Sequence, residues 1–277
     1  MKIIKKIIIN IQLQLSRYGW VWNNIIFYVI GFFQVKNIMG MGKETKKLRK
    51  FKDKHRGERC FIIATGPSLL KEDILKLKNE YTISLNAVFG IGRQIDWRPT
   101  YYVLLDPGLC RRFKKNGSLG NIDELATDAI FFNRENKREL ISTKKVNYIN
   151  ISYLDHVYNF ENSTTFKESF DLGFGLYDCF STTHDCIQIA MYMGFSEIYL
   201  LGADNNYQGA KKHCVDIPGD EVEDARALSV QRGNDIAYEF IKRIAEKRKV
   251  KIYNCTRGGR VNTFERVALD DLDLSDC

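Results

Sequence analysis

Residues 60–68 read Cys60-Phe61-Ile62-Ile63-Ala64-Thr65-Gly66-Pro67-Ser68, an apolar run that ends in a Gly-Pro-Ser turn. The apolar run has the length of a buried strand. Helical spacing follows from Leu69 to Lys78, so the turn joins a strand to a helix. Because a strand that passes directly into a helix is the building unit of a parallel sheet, this segment predicts an α/β fold.

The same alternation of strand and helix continues along the chain. Further runs of strand length lie at 81–85, 100–105, 129–132, 146–149, 197–201 and 250–253. Helical spacing is found at 87–95, 183–193 and 235–247. Such alternation predicts a Rossmann-like, mostly parallel sheet with helices on both faces.

The composition is that of an ordinary folded protein. The 277 residues are 44% hydrophobic and 27% charged, and only 4 are proline, which excludes collagen-like, low-complexity and disordered chains. The cysteines are scattered: Cys60, Cys110, Cys179, Cys186, Cys214, Cys255 and Cys277. They form no CxxC pair, so the sequence predicts neither a disulfide scaffold nor a zinc site and favours a reducing, cytoplasmic compartment.

Positive charge is concentrated at the N-terminus. Residues 1–57 hold 13 Lys and Arg against Glu44 and Asp53, a net charge of +11, whereas the remaining 220 residues hold 29 basic and 32 acidic side chains. The body lacks a basic stripe interleaved with aromatic residues, so we expect no nucleic-acid partner. The basic leader is also rich in Ile, Phe and Trp, which favours a membrane surface as its partner.

We divide the chain into an arm at 1–42, a basic linker at 43–59 and a catalytic domain at 60–277. The apolar run at 20–33 is shorter than the roughly 20 residues that span a bilayer, and it contains two tryptophans. We therefore predict a helical, amphipathic arm that lies on the cytoplasmic face of the membrane. A spanning helix is one alternative, and an arm that packs on the body or on a second copy in a homo-oligomer is another.

Polar residues follow the predicted strands where ligands bind in parallel sheets. In open α/β sheets the ligand lies beyond the carboxyl ends of the strands. The residues at these ends include Thr65, Gly66, Pro67, Ser68, Asn86, Asp106, Asp204, Asn205, Asn206, Tyr207 and Arg257. We expect them to surround one ligand site, because a purely structural sheet has no need for so many polar groups there.

Two helix starts have features of a phosphate site. Gly66 permits close approach of the backbone to a ligand, and Pro67 suits the first turn of a helix. Ser181-Thr182-Thr183 opens a predicted helix, where free N–H groups attract anions. An ordinary strand-to-helix turn and a plain helix cap are the alternatives. Neither the P-loop pattern nor GxGxxG is present in the chain.

Candidate catalytic groups lie in the second half of the chain. His213 is the best acid or base among the four histidines, and Asp204 is a second candidate. Tyr207 and Arg257 can stabilise a leaving phosphate. The polar segment at about 205–232 is predicted as a lid over the site. The alternatives are that Asp204 is only a turn residue and that Arg257 only faces solvent.

The motifs occur in the order of a known superfamily. They are Ala64-Thr65-Gly66-Pro67-Ser68-Leu69, Asn86, Trp97-Arg98-Pro99-Thr100-Tyr101-Tyr102, Asp106-Pro107, Gly202-Ala203-Asp204-Asn205-Asn206-Tyr207 and Ile252-Tyr253-Asn254-Cys255-Thr256-Arg257-Gly258-Gly259. Across residues 58–267 this order resembles the 6-hydroxymethylpterin diphosphokinase-like family, in its bacterial polysaccharide-cluster branch. It is also similar to the family 42 bacterial sialyltransferases.

The sialyltransferase resemblance implies metal-independent transfer from a CMP-linked sugar. It assigns the cytidine-nucleotide loop to Gly66-Pro67-Ser68 and a ribose-side or phosphate-side Asn to Asn86. It puts Asp106-Pro107 where that family has Asn-Pro. The two tyrosines that are thought to steady the leaving phosphate in that family fall on Tyr207 and His213.

This chain departs from that pattern at two positions. Val230 is found near the position of the family's catalytic His, and Cys179 is found where the family has an Arg. We therefore expect His213 or Asp204 to serve as the base. The predicted function is a metal-independent, cofactor-free glycosyltransferase of surface polysaccharide assembly, with a nucleotide-sugar donor and a glycan or lipid-linked acceptor. The pterin family implies instead a Mg-ATP pyrophosphokinase, with Mg²⁺ held by Asp106 and Asp204. A non-catalytic nucleotide-sugar binding module is the third interpretation.

Overall fold

The structure is a computed structural model. It describes residues 42–140, 143–152, 171–178, 180–206, 213–215 and 224–274. Nearly all of the predicted membrane-associating arm, residues 1–41, lies outside these ranges. Among the helices within them, none combines the length and the apolar character that crossing a bilayer requires.

Within the described residues, eight parallel strands form one sheet in the order β10-β9-β8-β1-β2-β3-β4-β5. Their bounds are β1 (Arg59–Ile63), β2 (Thr82–Leu85), β3 (Tyr101–Leu104), β4 (Ala129–Asn133), β5 (Val146–Ile149), β8 (Glu197–Leu201), β9 (Lys251–Asn254) and β10 (Glu265–Arg266). Two short strands, β6 (Ile151–Ser152) and β7 (Leu176–Tyr177), pair with each other in a separate sheet. The chain moves outward from β1 to β5 and then returns to the other side of β1, so the strand order reverses between β1 and β8.

Helices cover both faces of the large sheet. Their bounds are α1 (Gly42–Arg49), α2 (Lys71–Leu75), α3 (Phe89–Gln94), α4 (Pro107–Lys115), α5 (Thr182–Met193) and α6 (Asp224–Lys247). Cys60 and Ile62 of β1 pack in the core that α5 and α6 cover, whereas Phe61 and Ile63 pack on the opposite side with residues of α2 and α3. This alternation has the period of two that a strand imposes. The predicted mostly parallel α/β fold is therefore confirmed.

The predicted helices differ from the structure in length more than in position. Helix α2 has five residues, fewer than the predicted segment from Leu69 to Lys78. Helix α6 begins at Asp224, so residues 224–232 of the segment predicted as a lid are helical. Most of the remaining predicted lid, at 207–212 and 216–223, lies outside the described residues.

The basic segment at 43–59 is packed on the domain rather than extended away from it. Leu48 of α1 is fully buried in the core, and the Nζ atom of Lys47 donates to the carbonyl oxygen of Val146 on edge strand β5 at 3.0 Å. The buried ring of His55 stacks on Phe195 with ring centres 4.6 Å apart. Burial lowers the pKa of His55. The lysines and arginines of this segment stay largely at the surface, as snorkelling of long basic side chains allows.

Candidate functional site

A cavity of about 250 Å³ opens at the carboxyl ends of β1 and β8, where the strand order reverses. This is the position at which open α/β sheets bind their ligands. Most residues predicted for the site line it: Thr65, Gly66, Asn86, Asp106, Ser181, Thr182, Thr183, Asp204, Asn205, Asn206 and His213. Residues far apart in sequence therefore share one cavity. This agrees with the rule that open α/β sheets bind ligands beyond the carboxyl ends of their strands, here called the strand-end rule.

The exits of β1 and β8 are joined by direct contacts at the base of the cavity. The amide of Gly66 donates to the carbonyl oxygen of Gly202 at 2.8 Å. The hydroxyl of Ser68 donates to Oδ2 of Asp204 at 2.7 Å. A Cβ atom at position 66 would lie 1.8 Å from that same oxygen, so only glycine fits there. Asp204 thus holds the Gly66-Pro67-Ser68 loop in place, and one of its carboxylate oxygens is committed to that task.

His213 is held at the cavity by Thr65. Nδ1 of His213 lies 3.1 Å from Oγ1 of Thr65. The backbone carbonyl of Thr65 also accepts a hydrogen bond from the amide of Cys214 at 2.7 Å. Val215 packs beside both of the hydrophobic clusters on that side of the sheet. Residues 213–215 are therefore anchored to the domain at three successive positions.

The N-terminus of α5 faces the cavity. Ser181 is its N-cap, and its hydroxyl accepts from the amide of Thr183 at 3.2 Å. Because the amides of a first helical turn lack carbonyl partners within the helix, they offer hydrogen bonds and partial positive charge to an anion. Thr182 and Thr183 also line the cavity. This end of the cavity is suited to a phosphate group.

Three of the six non-glycine residues with left-handed backbone in the described part of the chain line the cavity. Asn86, Phe180 and Asn205 have φ angles of 50°, 63° and 49°, and all three line it. Non-glycine residues in this region are uncommon and cluster at functional sites. The carbonyl oxygen of Asn86 accepts from the hydroxyl of Tyr102 at 2.5 Å. Its side-chain Oδ1 is buried and makes no hydrogen bond within the described residues, which leaves an acceptor at the cavity wall.

Asn205 connects the exit of β8 to helix α6. Its Nδ2 donates to Oδ1 of Asp235 at 2.7 Å, and its Oδ1 accepts from Nδ2 of Asn234 at 2.9 Å. Asn205 and Asn234 are both buried. Burial raises the pKa of Asp235. The side chain of Asn205 is thus used to position α6 against the rim, while its backbone lies at the cavity.

Helices α4 and α6 line part of the cavity, and their residues Leu109, Arg112, Asn234 and Tyr238 were not predicted from the sequence. Asp106 caps α4, because its Oδ1 accepts from the amides of Gly108 and Leu109 at 2.6 and 2.9 Å. Arg112, further along the same helix, brings a positive charge to the cavity wall. Additional lining residues are Phe180, Val230, Asn234 and Tyr238. The Asp-Pro start of α4 was the available signal, since spacing from Asp106 puts Leu109 and Arg112 on one helix face.

Three predicted site residues that the structure describes, Pro67, Ser68 and Arg257, are not among those that line the cavity. Pro67 and Ser68 follow Gly66 in the loop, and Ser68 is bound to Asp204. The guanidinium of Arg257 is held by the carboxylate of Asp73, with Nε–Oδ2 and Nη2–Oδ1 distances of 2.8 and 2.7 Å. Tyr207 lies outside the described residues, as does Cys179.

The acidic groups of the cavity already accept hydrogen bonds from the protein. Asp106 accepts from two backbone amides, and Asp204 accepts from Ser68. Among the described residues, no group of three or more His, Cys, Asp or Glu side chains has the arrangement of a metal site. Each carboxylate keeps a second oxygen, which is the atom that a Mg²⁺ ion would use.

These features define a Rossmann-like α/β domain with a ligand cavity at the point where the strand order reverses. The sequence matches the family described as 6-hydroxymethylpterin diphosphokinase MptE-like over residues 34–210. The chain belongs to this family. No curated protein matches the sequence significantly.

The fold is similar to that of bacterial glycosyltransferases. The MAf glycosyltransferase from Magnetospirillum magneticum AMB-1 aligns with a TM-score of 0.51 and 16% identity, over 85% of this chain and 39% of that one. This chain therefore spans well under half the length of that protein. The Campylobacter jejuni sialyltransferase CstII in complex with cytidine-5'-monophosphate aligns with a TM-score of 0.47, 15% identity and coverage of 77% and 86%. Cst-I from the same organism aligns with a TM-score of 0.46 and 15% identity, over 78% of this chain and 82% of that one.

Proposed function

We propose that this protein is a glycosyltransferase that transfers a sugar from a nucleotide-activated donor to a glycan or lipid-linked acceptor. A CMP-linked acidic sugar is the first candidate donor, because the loop Gly66-Pro67-Ser68 and Asn86 resemble the cytidine-nucleotide motifs of family 42 sialyltransferases. The fold shared with a MAf glycosyltransferase supports the same reaction class. The observation that carries the proposal is the meeting of an anion-binding helix start and a histidine in one cavity at the reversal of strand order.

The donor phosphate is proposed to rest between the N-terminus of α5 and the loop at Gly66. Amides of the first helical turn and the hydroxyls of Thr182 and Thr183 supply hydrogen bonds there. Arg112 adds a fixed positive charge on the opposite helix, which favours an anionic donor. Both lining carboxylates accept hydrogen bonds from amide or hydroxyl donors of the protein, which hold one oxygen of each acid toward the protein.

His213 is the proposed base. The acceptor hydroxyl attacks the anomeric carbon, and the bond from that carbon to the phosphate oxygen breaks while the new carbon–oxygen bond forms. His213 takes the hydroxyl proton, and the bonding electron pair leaves with the phosphate. Val230, near the position where the sialyltransferase resemblance expects a histidine, is an apolar cavity residue that cannot accept a proton. Asp204 is the less suitable base, since it holds Ser68.

Metal independence is part of the proposal. The positive groups that meet the phosphate are protein groups, and the two lining carboxylates serve as a helix cap and a loop clamp. The family description favours one competing function, a Mg²⁺-dependent pyrophosphokinase. In that case the remaining oxygens of Asp106 and Asp204 would hold the ion. The competing function requires ATP and Mg²⁺, so it is separable by experiment.

The test is release of CMP from a CMP-linked acidic sugar by the full-length protein in EDTA, with the acceptor hydroxyl supplied by water or added glycan. We expect activity in the wild type and a loss of about 10²-fold or more in His213→Ala. Retention of full activity by the variant would exclude His213 as the base. Absence of any release, with binding intact, would favour the non-catalytic binding module, and activity only with ATP and Mg²⁺ would favour the kinase.

The arm at 1–42 is proposed to bring the enzyme to the cytoplasmic membrane surface, where a lipid-linked acceptor is found. Its basic and aromatic composition suits an anionic interface. Cosedimentation with vesicles that contain anionic lipid tests this claim. We expect the full chain to bind at low salt and a chain without residues 1–42 to stay in the supernatant. Equal binding of the two proteins would contradict an anchoring role for the arm.

A further inference from the structure

Most of the segment predicted as a basic linker is a fixed part of the folded domain. Residues 42–57 hold eight Lys or Arg side chains and two acidic ones, a net charge of +6. Leu48 is fully buried in the core, and the amide of His55 donates to the carbonyl oxygen of Met193 at 2.8 Å. The positive charge of this segment is therefore held in one place on the surface of the domain.

Three lysines of this segment have no partner in the fold. Lys46, Lys50 and Lys52 are exposed and make no hydrogen bond or ion pair with any residue that the structure describes. Lys46 and Lys50 are one helical turn apart, so they lie on the same side of the helical segment. Other basic side chains of the segment are bound to protein oxygens: Lys47, Arg49, Lys54 and Arg56. An anionic partner would relieve the repulsion between the charges that the fold leaves unpaired.

An exposed aromatic side chain lies beside α1. Phe174 is 54% exposed, more than any other large apolar side chain in the part of the chain that the structure describes. Its turn is bound to α1, because Oγ1 of Thr45 donates to the carbonyl of Gly173 at 3.2 Å and Nε of Arg49 donates to Oδ2 of Asp171 at 3.1 Å. The Arg49 guanidinium lies 5.3 Å from the centre of the Phe174 ring. Basic side chains around an exposed aromatic ring suit the interface of a bilayer.

We propose that residues 46–52 and Phe174, here called the basic surface, bind the headgroups of an anionic bilayer, so that the folded domain makes a membrane contact of its own. The inference rests on the proposed membrane role of the arm and adds the domain to it. The basic surface and the arm at 1–42 belong to one continuous stretch of chain, and the arm is rich in Ile, Phe and Trp. A nucleic acid would use the lysines and leave those apolar residues without a partner.

The position of the basic surface leaves the cavity accessible. Lys47 binds the carbonyl of Val146 on β5, and four strand spacings, about 19 Å, separate β5 from β1 at the cavity. Nζ of Lys137, which follows the carboxyl end of β4, lies 2.7 Å from Oε1 of Glu44. The chain therefore enters α1 near the sheet edge at which the cavity opens. A bilayer on the basic surface lies to the side of the cavity, where a lipid-linked acceptor can reach it.

The first test measures binding of the full-length protein to vesicles of equal parts phosphatidylcholine and phosphatidylserine. The variant combines Lys46→Gln, Lys50→Gln and Lys52→Gln. Because each Lys near an anionic bilayer strengthens binding roughly fivefold, we expect the triple variant to bind about 10²-fold more weakly than the wild type. Vesicles of phosphatidylcholine alone should bind the two proteins equally.

The matched control removes the same charge from the opposite face of the sheet. It combines Lys71→Gln, Lys78→Gln and Lys115→Gln, three exposed lysines that bind no described residue. They belong to α2, to α4 and to the segment after α2, whose apolar residues pack on the other side of the sheet from α1. Because salt screens exposed charges beyond about 10 Å, we expect this control to bind vesicles as the wild type does.

The second test locates the contact. A tryptophan is introduced by Phe174→Trp, with Leu75→Trp as the control, since Leu75 is also an exposed apolar residue but lies in α2. Quenching by brominated phosphatidylserine vesicles is compared with that of the wild type. We expect additional quenching in Phe174→Trp and none in Leu75→Trp.

The outcomes separate the basic surface from the arm. If the Lys46, Lys50 and Lys52 variant binds as the wild type does, while removal of residues 1–42 abolishes binding, the inference is overturned and the role of the arm survives. Equal weakening in the control variant, or equal quenching in the two tryptophan variants, also overturns the inference. Tighter binding of the wild type to double-stranded DNA than to the vesicles would assign the surface to nucleic acid. If the wild type does not bind the vesicles, the inference and the role of the arm both fail.

Discussion

The hydroxyl of Ser68 donates a 2.7 Å hydrogen bond to Oδ2 of Asp204, a residue 136 positions later in the chain. The contact joins the exits of β1 and β8, the two strands between which the sheet order reverses. It fixes the Gly66-Pro67-Ser68 loop under the cavity. We therefore regard Asp204 primarily as the residue that shapes the proposed phosphate site, and only secondarily as a chemical group in it.

A double-mutant cycle on Ser68→Ala and Asp204→Ala measures this contact. Because a hydrogen bond to a charged group contributes about 1.5–3 kcal/mol, we expect each single variant to lower the free energy of unfolding by that order. The double variant should lose clearly less than the sum of the two, since both changes remove the same bond. Strict additivity in urea unfolding would show that the two side chains do not stabilise each other.

Gly66→Ala is expected to disrupt the loop. The new Cβ atom would lie 1.8 Å from Oδ2 of Asp204, so the loop or the carboxylate must move, at a cost of about 1–3 kcal/mol. Nucleotide affinity should fall with it. Gly90→Ala is the matched control. Gly90 lies in helix α3, and a Cβ atom there would make an ordinary 3.5 Å contact with Val215. Calorimetry that found both variants equal to wild type in affinity would contradict the close approach at Gly66.

Arg257→Ala is expected to affect stability and not ligand binding. The guanidinium is bound by Asp73, and Asp73 loses its partner when Arg257 is removed. The urea midpoint should therefore fall, while the dissociation constant for the nucleotide stays at the wild-type value. A weaker nucleotide affinity with an unchanged midpoint would mean that Arg257 contacts the ligand, as the sequence alone suggested.

Buried His184 makes stability depend on pH. Desolvation lowers its pKa from 6.5 to about 3, so the folded protein holds it neutral while the unfolded chain protonates it below pH 6.5. Its contribution to stability is complete above pH 6.5 and is lost as the pH falls toward 3, at about 1.4 kcal/mol per pH unit. Neighbouring Asp185 changes stability with pH in the opposite direction to His184, because burial raises the pKa of its carboxyl group.

A comparison of wild type with His184→Gln isolates the histidine from Asp185. Between pH 6.5 and pH 5, we expect the free energy of unfolding of the wild type to fall by about 2 kcal/mol relative to that of the variant. Urea unfolding of both proteins at several pH values gives this difference directly. A stability difference that stays constant across that range would show that His184 is not buried in its neutral form.

The strands were predictable because buried parallel strands are continuous apolar runs, and β1 and β8 each consist of one charged residue followed by four apolar residues. Helix α4 was missed although its buried residues Leu109, Cys110 and Phe113 have helical spacing, because it has only nine residues and four of them are Arg or Lys. Its burial depends on Leu109 and other residues that meet the sheet only in three dimensions. A helix this short is only marginally stable on its own, and tertiary packing supplies most of its stability.

The strand-end rule located most of the candidate site, and it was less informative for residues supplied by other elements. Arg257 follows β9, which lies one strand away from the reversal point, and there it meets Asp73 rather than the cavity. Arg112 and Asn234 reach the cavity from the sides of helices, so no strand end marks them in the sequence. The hydrogen-bond partners of Thr65, Ser68 and Asp204 could be identified only from the coordinates, because partners that are distant in sequence leave no local pattern.

The central claim is that the cavity binds a nucleotide-activated sugar. A thermal-shift screen of CMP-, UDP-, GDP- and ADP-linked sugars in EDTA, with ATP and Mg²⁺ as the comparison, tests it most directly. A ligand at 100 times its dissociation constant adds about 2.7 kcal/mol of stability. We predict that a CMP-linked sugar raises the melting temperature of the wild type in EDTA and does not raise that of Gly66→Ala. Stabilisation by ATP and Mg²⁺ alone, or by none of the nucleotides, would contradict the account.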